Sequence, residues 1–173
     1  RRRARERASY AERPERARSK VLQRYGISPA DYERLTHEVR AVTQIAQLDA
    51  VERAWSARAT AKHDRDLLNG LIAFRRYRLG GSERDAKRAE SLVDDARSDQ
   101  SRNAWVHYAY ALVVARGPEV QSDGGILRTT GRSWAQQLGL DARASARGAA
   151  ERALELHPGH GGAAVIYAEI ALQ

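Results

Sequence analysis

Apolar residues recur at intervals of three and four along much of the chain, which is the spacing of amphipathic helices. After Gly26, the run Ser28-Pro29-Ala30-Asp31 has the order of a helix start, with Ser at the N-cap, Pro in the first turn and an acid near it. The apolar positions that follow are Tyr32, Leu35, Val39, Val42 and Ala46, with a second line through Ile45, Leu48, Val51 and Trp55. This pattern predicts one long N-terminal helix, or two helices with a bend, within residues 27–65.

A second pair of helices is predicted over residues 66–101. The first helix of this pair has an apolar face that consists of Leu67, Leu68, Leu71, Ile72 and Phe74. Gly80-Gly81 ends it, and Ser82-Glu83-Arg84-Asp85 resembles a capping box that opens the next helix. Because the connection is so short, the two helices are expected to form an antiparallel helix hairpin.

The C-terminal part, residues 102–173, contains three further helical patterns. The first, over residues 102–116, is stopped by Gly117-Pro118, and residues 117–140 are loop-like with a possible helical turn at 133–138. Asp141 is placed to cap a helix that runs to Leu156, and His157-Pro158-Gly159 ends it before a last helix near Gly161. Period-two runs of β-branched residues are absent, so the predicted fold class is all-α.

Several of these positions resemble the tetratricopeptide repeat, a helix–turn–helix unit of about 34 residues with small residues at helix contacts and a closing Pro. The matching residues over 102–173 are Trp105, Tyr108, Ala109, Leu112, Ala146, Ala150, Ala153 and Pro158, followed by Ala164, Tyr167, Ala168 and Ala171. The loop at 117–140 interrupts the repeat, the hairpin at 66–101 fits loosely, and residues 27–65 do not follow the pattern. Ala109 and Ala168 would lie where one helix crosses its neighbour.

The resemblance implies stacked antiparallel helix pairs in a right-handed solenoid with a concave groove lined by the first helix of each pair. Such grooves bind extended peptides or helices. The residues that would face the groove are Asn103, Val106, His107, Tyr110, Val113, Val165, Ile166 and Glu169. The alternative is that the inserted loop, or a further part of the chain, fills this groove.

The charge of the chain is concentrated at its N-terminal end. The formal net charge is +8, and residues 1–26 alone hold ten basic and three acidic residues, which leaves the rest almost neutral. We call residues 1–26 the basic arm; its first arginines are Arg1, Arg2, Arg3, Arg5 and Arg7. The arm is expected to be helical or disordered. The interspersed glutamates favour a solvated helix, and the alternatives are contact with an acidic protein or with a phosphate backbone. Because aromatic residues are scarce in it, recognition of single-stranded nucleic acid is disfavoured.

No arrangement of residues in the sequence is typical of a catalytic or cofactor site. Asp123-Gly124-Gly125 lacks the Gly-Lys-Ser/Thr of a phosphate loop, and no zinc-protease motif occurs. His157 and His160 have a spacing that could serve a metal, but with no Cys or carboxylate close by they are interpreted as turn residues. The protein is therefore expected not to be an enzyme and to hold no metal or cofactor.

The sequence thus favours a helical-repeat scaffold that binds a protein or peptide, self-association included. The alternative is binding of nucleic acid or an anionic surface through the basic arm. No apolar run approaches the length of a membrane span. The excess of Arg, Ala and Gly is typical of a bacterial protein, either cytoplasmic or of the cell envelope, and the absence of Met leads us to expect a longer parent chain.

Overall fold

A computed structural model of the protein describes residues 27–59, 61–117 and 142–172, which form seven α-helices and no strand. The helices are α1 Pro29–Ala41, α2 Ile45–Ser56, α3 Lys62–Arg78, α4 Glu83–Asp99, α5 Ala104–Ala115, α6 Ala142–Leu156 and α7 Gly161–Ala171. The all-α fold class is therefore confirmed for the described residues. The basic arm, most of the 117–140 loop and the proposed cap at Asp141 lie outside them.

Local capping signals place two helix starts where the sequence predicts them. The Ser28 hydroxyl accepts the backbone N–H of Asp31 at 3.2 Å and caps α1. The Asp85 carboxylate accepts the backbone N–H of Ser82 at 3.0 Å, which completes one half of the predicted capping box of α4. Between α3 and α4, Gly80 has a φ of +96°, a left-handed conformation that glycine adopts without strain.

The N-terminal region contains two helices rather than one continuous helix. Val42 leaves the helical conformation with φ −61° and ψ 129°, which frees its carbonyl group. The Arg75 guanidinium of α3 donates to that carbonyl oxygen, with Nε at 2.9 Å. The Gln47 side chain accepts the backbone N–H of Thr43 at 3.1 Å and that of Gln44 at 3.2 Å, which caps α2. The break is therefore stabilised by hydrogen bonds from both sides.

The helices pack mainly on their neighbours in the sequence. The most extensive contacts join α3 to α4 and α5 to α6, and further contacts join α4 to α5 and α6 to α7. The alternate helices α3, α5 and α7 also touch in order, α3 with α5 and α5 with α7. α1 packs on α2 and α3, and α2 also packs on α3.

The core combines large side chains near the N-terminal end with alanine faces near the C-terminal end. Trp55, Tyr32 and Leu48 are among the largest fully buried side chains, whereas the buried face of α6 consists of alanines at positions 146, 149, 150 and 153. Ala109 is buried, as expected at a helix crossing. Ala168 is exposed, so its predicted place at a crossing is wrong for the described residues, because none of these covers that side of α7. None of the described helices has the length and apolarity to cross a membrane.

Candidate functional site: a pocket between α1, α5 and the start of α7

The structure places most of the predicted groove residues inside the protein. Six of them are buried, namely Asn103, Val106, His107, Tyr110, Val113 and Ile166. Val165, which is 53% exposed, and Glu169 lie at the surface of α7. A partner that docks on the described surface can therefore contact only these two members of the set. The basic arm, including Arg1, Arg2, Arg3, Arg5 and Arg7, lies outside the described residues.

The predicted groove residues of α5 are buried because this helix is covered on all sides. α5 carries no acidic or basic residue apart from His107, and a helix that is apolar around its whole circumference is expected in a core. The Tyr110 ring lies under the Arg97 guanidinium of α4 at 4.0 Å, and burial raises the pKa of its phenol. The His107 Nε2 lies 2.9 Å from the Ser101 carbonyl oxygen, and burial lowers the pKa of this imidazole. These two side chains are thus committed to intramolecular contacts.

A pocket of about 260 Å³ lies on another side of α5. Its walls come from α1, from α5 and from the turn that leads into α7. The lining residues are Glu33, Thr36, His37 and Arg40 of α1, Trp105 and Tyr108 of α5, and His157, Gly159, His160, Gly161 and Gly162 of the turn and the first turn of α7. We call this the α1–α7 pocket.

His160 is the N-cap residue of α7 and is only 4% exposed. Its Nδ1 accepts the backbone N–H of Ala163 at 3.3 Å, and its carbonyl oxygen accepts the backbone N–H of Ala164 at 3.1 Å. Because Nδ1 is an acceptor, the proton of the neutral ring lies on Nε2. The pKa of His160 is lowered, first by burial and then by the neighbouring His157. The His160 Nε2 has no hydrogen-bond partner among the described residues.

Aromatic rings hold His160 in this position. Its ring centroid lies 4.1 Å from that of Trp105 and 4.6 Å from that of Tyr108. Gly162 approaches Tyr108 so closely that a Cβ on it would lie 2.8 Å from the tyrosine ring. A side chain at this position would therefore displace the buried Tyr108 ring.

α1 is anchored beside the pocket by a buried polar contact. Tyr32 stacks on the Trp105 ring at a centroid distance of 6.5 Å. The Tyr32 hydroxyl donates to the Asp64 carboxylate of α3 at 2.6 Å, and Asp64 has no solvent exposure. Burial raises the pKa of the Asp64 carboxyl, whereas the hydrogen bond from Tyr32 opposes that rise. Burial also raises the pKa of Tyr32 well above its usual range. The neutral phenol is therefore maintained as a donor to Asp64.

His157 and His160 flank the turn at Pro158 and Gly159 that leads into α7. Their ring centroids are 6.0 Å apart, and the Nδ1 of His160 is already used in the helix cap. Within residues 27–59, 61–117 and 142–172, no group of three or more His, Asp or Glu side chains is placed to hold a metal ion.

Sequence reasoning did not find the α1–α7 pocket. It matched Trp105 and Tyr108 to the tetratricopeptide pattern, and it left residues 27–65 outside that pattern. The run His160-Gly161-Gly162 carries a signal, since a side-chain acceptor before two glycines is typical of a helix start that another group approaches closely. No such signal marks the pocket wall formed by α1, because Glu33, His37 and Arg40 reach the pocket only through the tertiary position of that helix.

Comparisons with models of known protein families, with curated proteins and with solved structures gave no match.

Proposed function

We propose that this protein is a non-catalytic helical-repeat scaffold, similar to tetratricopeptide repeats, which binds a helix of a protein partner. The observation that carries the proposal is the order of helix contacts: each helix from α3 onward packs on the next, and α3, α5 and α7 touch in succession. This order is expected when helix pairs stack along one axis. The proposed units are α3 with α4, α5 with α6, and α7 as the first helix of a third unit.

Small residues at the helix crossings support the stacked arrangement. Gly70 of α3 lies against α4, where a Cβ would come within 2.7 Å of a Val93 methyl group. α6 offers only alanines on its buried face. Close approach of this kind lets two helices pack over a long contact.

The proposed partner surface is the uncovered side of α7. α7 resembles α5 in being apolar around its circumference, with Glu169 as its one charged residue. α5 is buried by α4 and α6, whereas α7 leaves Val165 53% exposed and Leu172 beyond it 88% exposed. An apolar face of this kind at a surface is typical of an interaction site. The occupant that fits best is a helix with small residues on its contact face, as α6 presents to α5.

A salt bridge sets one edge of this surface. The Arg116 guanidinium, at the end of α5, donates to both carboxylate oxygens of Glu169, at 2.8 and 2.9 Å. Both hydrogen bonds come from the same nitrogen, Nη2, and they link the end of α5 to α7. The partner helix is therefore expected to lie beside this pair and to contact Val165 and Leu172.

The test compares Val165→Glu with Ile45→Glu in the full chain. Ile45, at the start of α2, is the matched control because it is also a large exposed hydrophobic residue, 41% exposed, and lies on a different helix. Sedimentation velocity over a range of protein concentrations measures self-association, and quantitative affinity purification measures partner proteins. The proposal expects that Val165→Glu abolishes the self-association or the partner that the wild type shows, while Ile45→Glu retains it. Equal binding by wild type and Val165→Glu would contradict it.

The basic arm provides the competing hypothesis, and salt distinguishes the two. Binding through the arm should weaken steeply between low and moderate salt and disappear when residues 1–20 are deleted. Binding to the α7 surface should survive both changes, because the contacts there are apolar. A complex that is lost on deletion and retained in Val165→Glu would support an anionic partner instead.

A further inference from the structure

The Tyr108 side chain brings an unpartnered hydroxyl to the α1–α7 pocket. Tyr108 is only 4% exposed, and its hydroxyl forms no hydrogen bond with another described residue. This oxygen retains contact with solvent, unlike the buried Nε2 of His160. Gly162 packs against the hydroxyl end of the ring, where a Cβ on it would lie 3.1 Å from the oxygen, and both residues line the pocket. The Tyr108 hydroxyl therefore opens into the pocket.

The indole of Trp105 adds a second group of this kind. Its Nε1–H donates to no described residue and also retains contact with solvent, and Trp105 lines the same pocket. The indole of Trp55 differs, because its Nε1 donates to the Glu38 carboxylate at 2.7 Å. Polar groups of largely buried side chains are almost always paired, so two unpaired groups beside one pocket point to a ligand.

The other walls of the pocket are flat. Five of its eleven described lining residues carry planar rings, and three are glycines, which present only backbone. The volume of about 260 Å³ lies just below the usual range for organic ligands. Flat walls around a small volume fit a planar ring or a fused pair of rings better than a bulky saturated molecule, and aromatic side chains favour contact with such rings.

The formal charges of the lining cancel. When histidine is counted as neutral, Glu33 and Arg40 are the charged residues among the described ones that line the pocket. Burial lowers the pKa of His160, which keeps its imidazole uncharged at neutral pH. One acid and one guanidinium give no net attraction for an ion of either sign. The pocket therefore favours an uncharged ligand.

We propose that the α1–α7 pocket binds an uncharged planar heteroaromatic ring, such as a nucleobase, which accepts a hydrogen bond from the Trp105 indole and pairs with the Tyr108 hydroxyl. A ring nitrogen supplies the acceptor for the indole N–H. An amino or carbonyl group on the ring pairs with the hydroxyl, which can both donate and accept. The site does not depend on the scaffold proposal, because Val165 and Leu172 of the partner surface do not line the pocket.

The experiment titrates the full chain with adenine at neutral pH and follows the indole N–H signals by NMR. The expected result is a saturable shift of the Trp105 signal, whereas the Trp55 signal stays unchanged because its N–H is already bonded within the protein. Since the ligand is uncharged, its affinity should be the same at low and moderate salt. Glucose, an uncharged ring that is not planar, is the control ligand and should not shift the Trp105 signal.

Tyr108→Phe tests the role of the hydroxyl. It should weaken adenine binding about fivefold, as expected for the loss of one neutral hydrogen bond. Because the hydroxyl has no partner among the described residues, the same variant should keep the wild-type stability in urea denaturation. Tyr77→Phe is the matched control, since Tyr77 is a partly buried tyrosine of α3 outside the pocket lining, and it should leave the affinity unchanged.

Adenosine monophosphate distinguishes two sources of the ring. Binding at least as tight as that of adenine identifies a nucleotide, and weaker binding identifies a free base. The proposal is overturned if the Trp105 signal does not respond to adenine, if glucose shifts it equally, or if Tyr108→Phe binds adenine as tightly as the wild type.

Discussion

Gly70 is the position where helix propensity and packing predict opposite effects of one substitution. In an exposed helix, replacing Gly by Ala stabilises the folded state by roughly 1 kcal/mol. At Gly70 a new Cβ would lie 2.7 Å from Val93 Cγ1 and 3.3 Å from two backbone atoms of α4, the Ala89 carbonyl oxygen and the Val93 nitrogen. Because the valine is fully buried and the other two atoms are backbone, α4 itself must shift. Overpacking of this kind costs about 1–3 kcal/mol.

The expected net effect of Gly70→Ala is a loss of about 1 kcal/mol in the free energy of unfolding, since the packing cost exceeds the gain in propensity. Urea denaturation followed by far-UV circular dichroism measures it. Gly148→Ala on α6 is the control, because Gly148 is exposed and a Cβ there would meet no atom within 4 Å. The control should gain about 0.5–1 kcal/mol.

A double-mutant cycle with Val93→Ala tests the cause. If the clash with the valine methyl group is responsible, Gly70→Ala should cost less in the Val93→Ala background, with a coupling energy of about 1 kcal/mol or more. Gly70→Ala that stabilises the protein as much as Gly148→Ala, or a coupling energy near zero, would refute the close packing of α3 on α4.

Three further effects follow from the pocket and its support. Tyr32→Phe removes the hydrogen-bond donor to the buried Asp64 carboxylate. Urea denaturation should show a loss of about 1–3 kcal/mol in the free energy of unfolding. The same substitution in an Asp64→Asn background should cost less. Because the pKa of His160 is lowered in the folded state, the unfolded state binds a proton first as the pH falls. The free energy of unfolding should therefore be independent of this group above the unfolded histidine pKa of about 6.5 and should decrease below it. His160→Asn, which retains a cap acceptor, should reduce that fall in pH-dependent denaturation; an unchanged slope would exclude His160 as its source. Gly162→Ala should lower the melting temperature, because its Cβ would overlap the Tyr108 ring, and an unchanged value would contradict that contact.

The helix starts at Ser28 and Ser82 could be predicted from the sequence because the acceptor and donor groups lie within three residues of each other. The burial of Tyr110 could not be predicted from spacing, since spacing shows which residues share a face and not which face is covered. The uncharged composition of α5 was the available signal that both of its sides are buried.

The helical fold class and the approximate extent of the described helices follow from local sequence signals, because caps, glycine stops and apolar spacing act over one or two turns of the chain. The break after α1 and the pocket instead require contacts between distant parts of the chain. The break after Ala41 depends on Arg75, 33 residues beyond Val42. The pocket depends on the position of α1, which the contact of Tyr32 with Asp64 of α3, 32 residues away, holds in place. Interactions between residues so far apart leave no periodic pattern in the sequence, so the position of Arg40 opposite the start of α7 could be found only in the folded molecule.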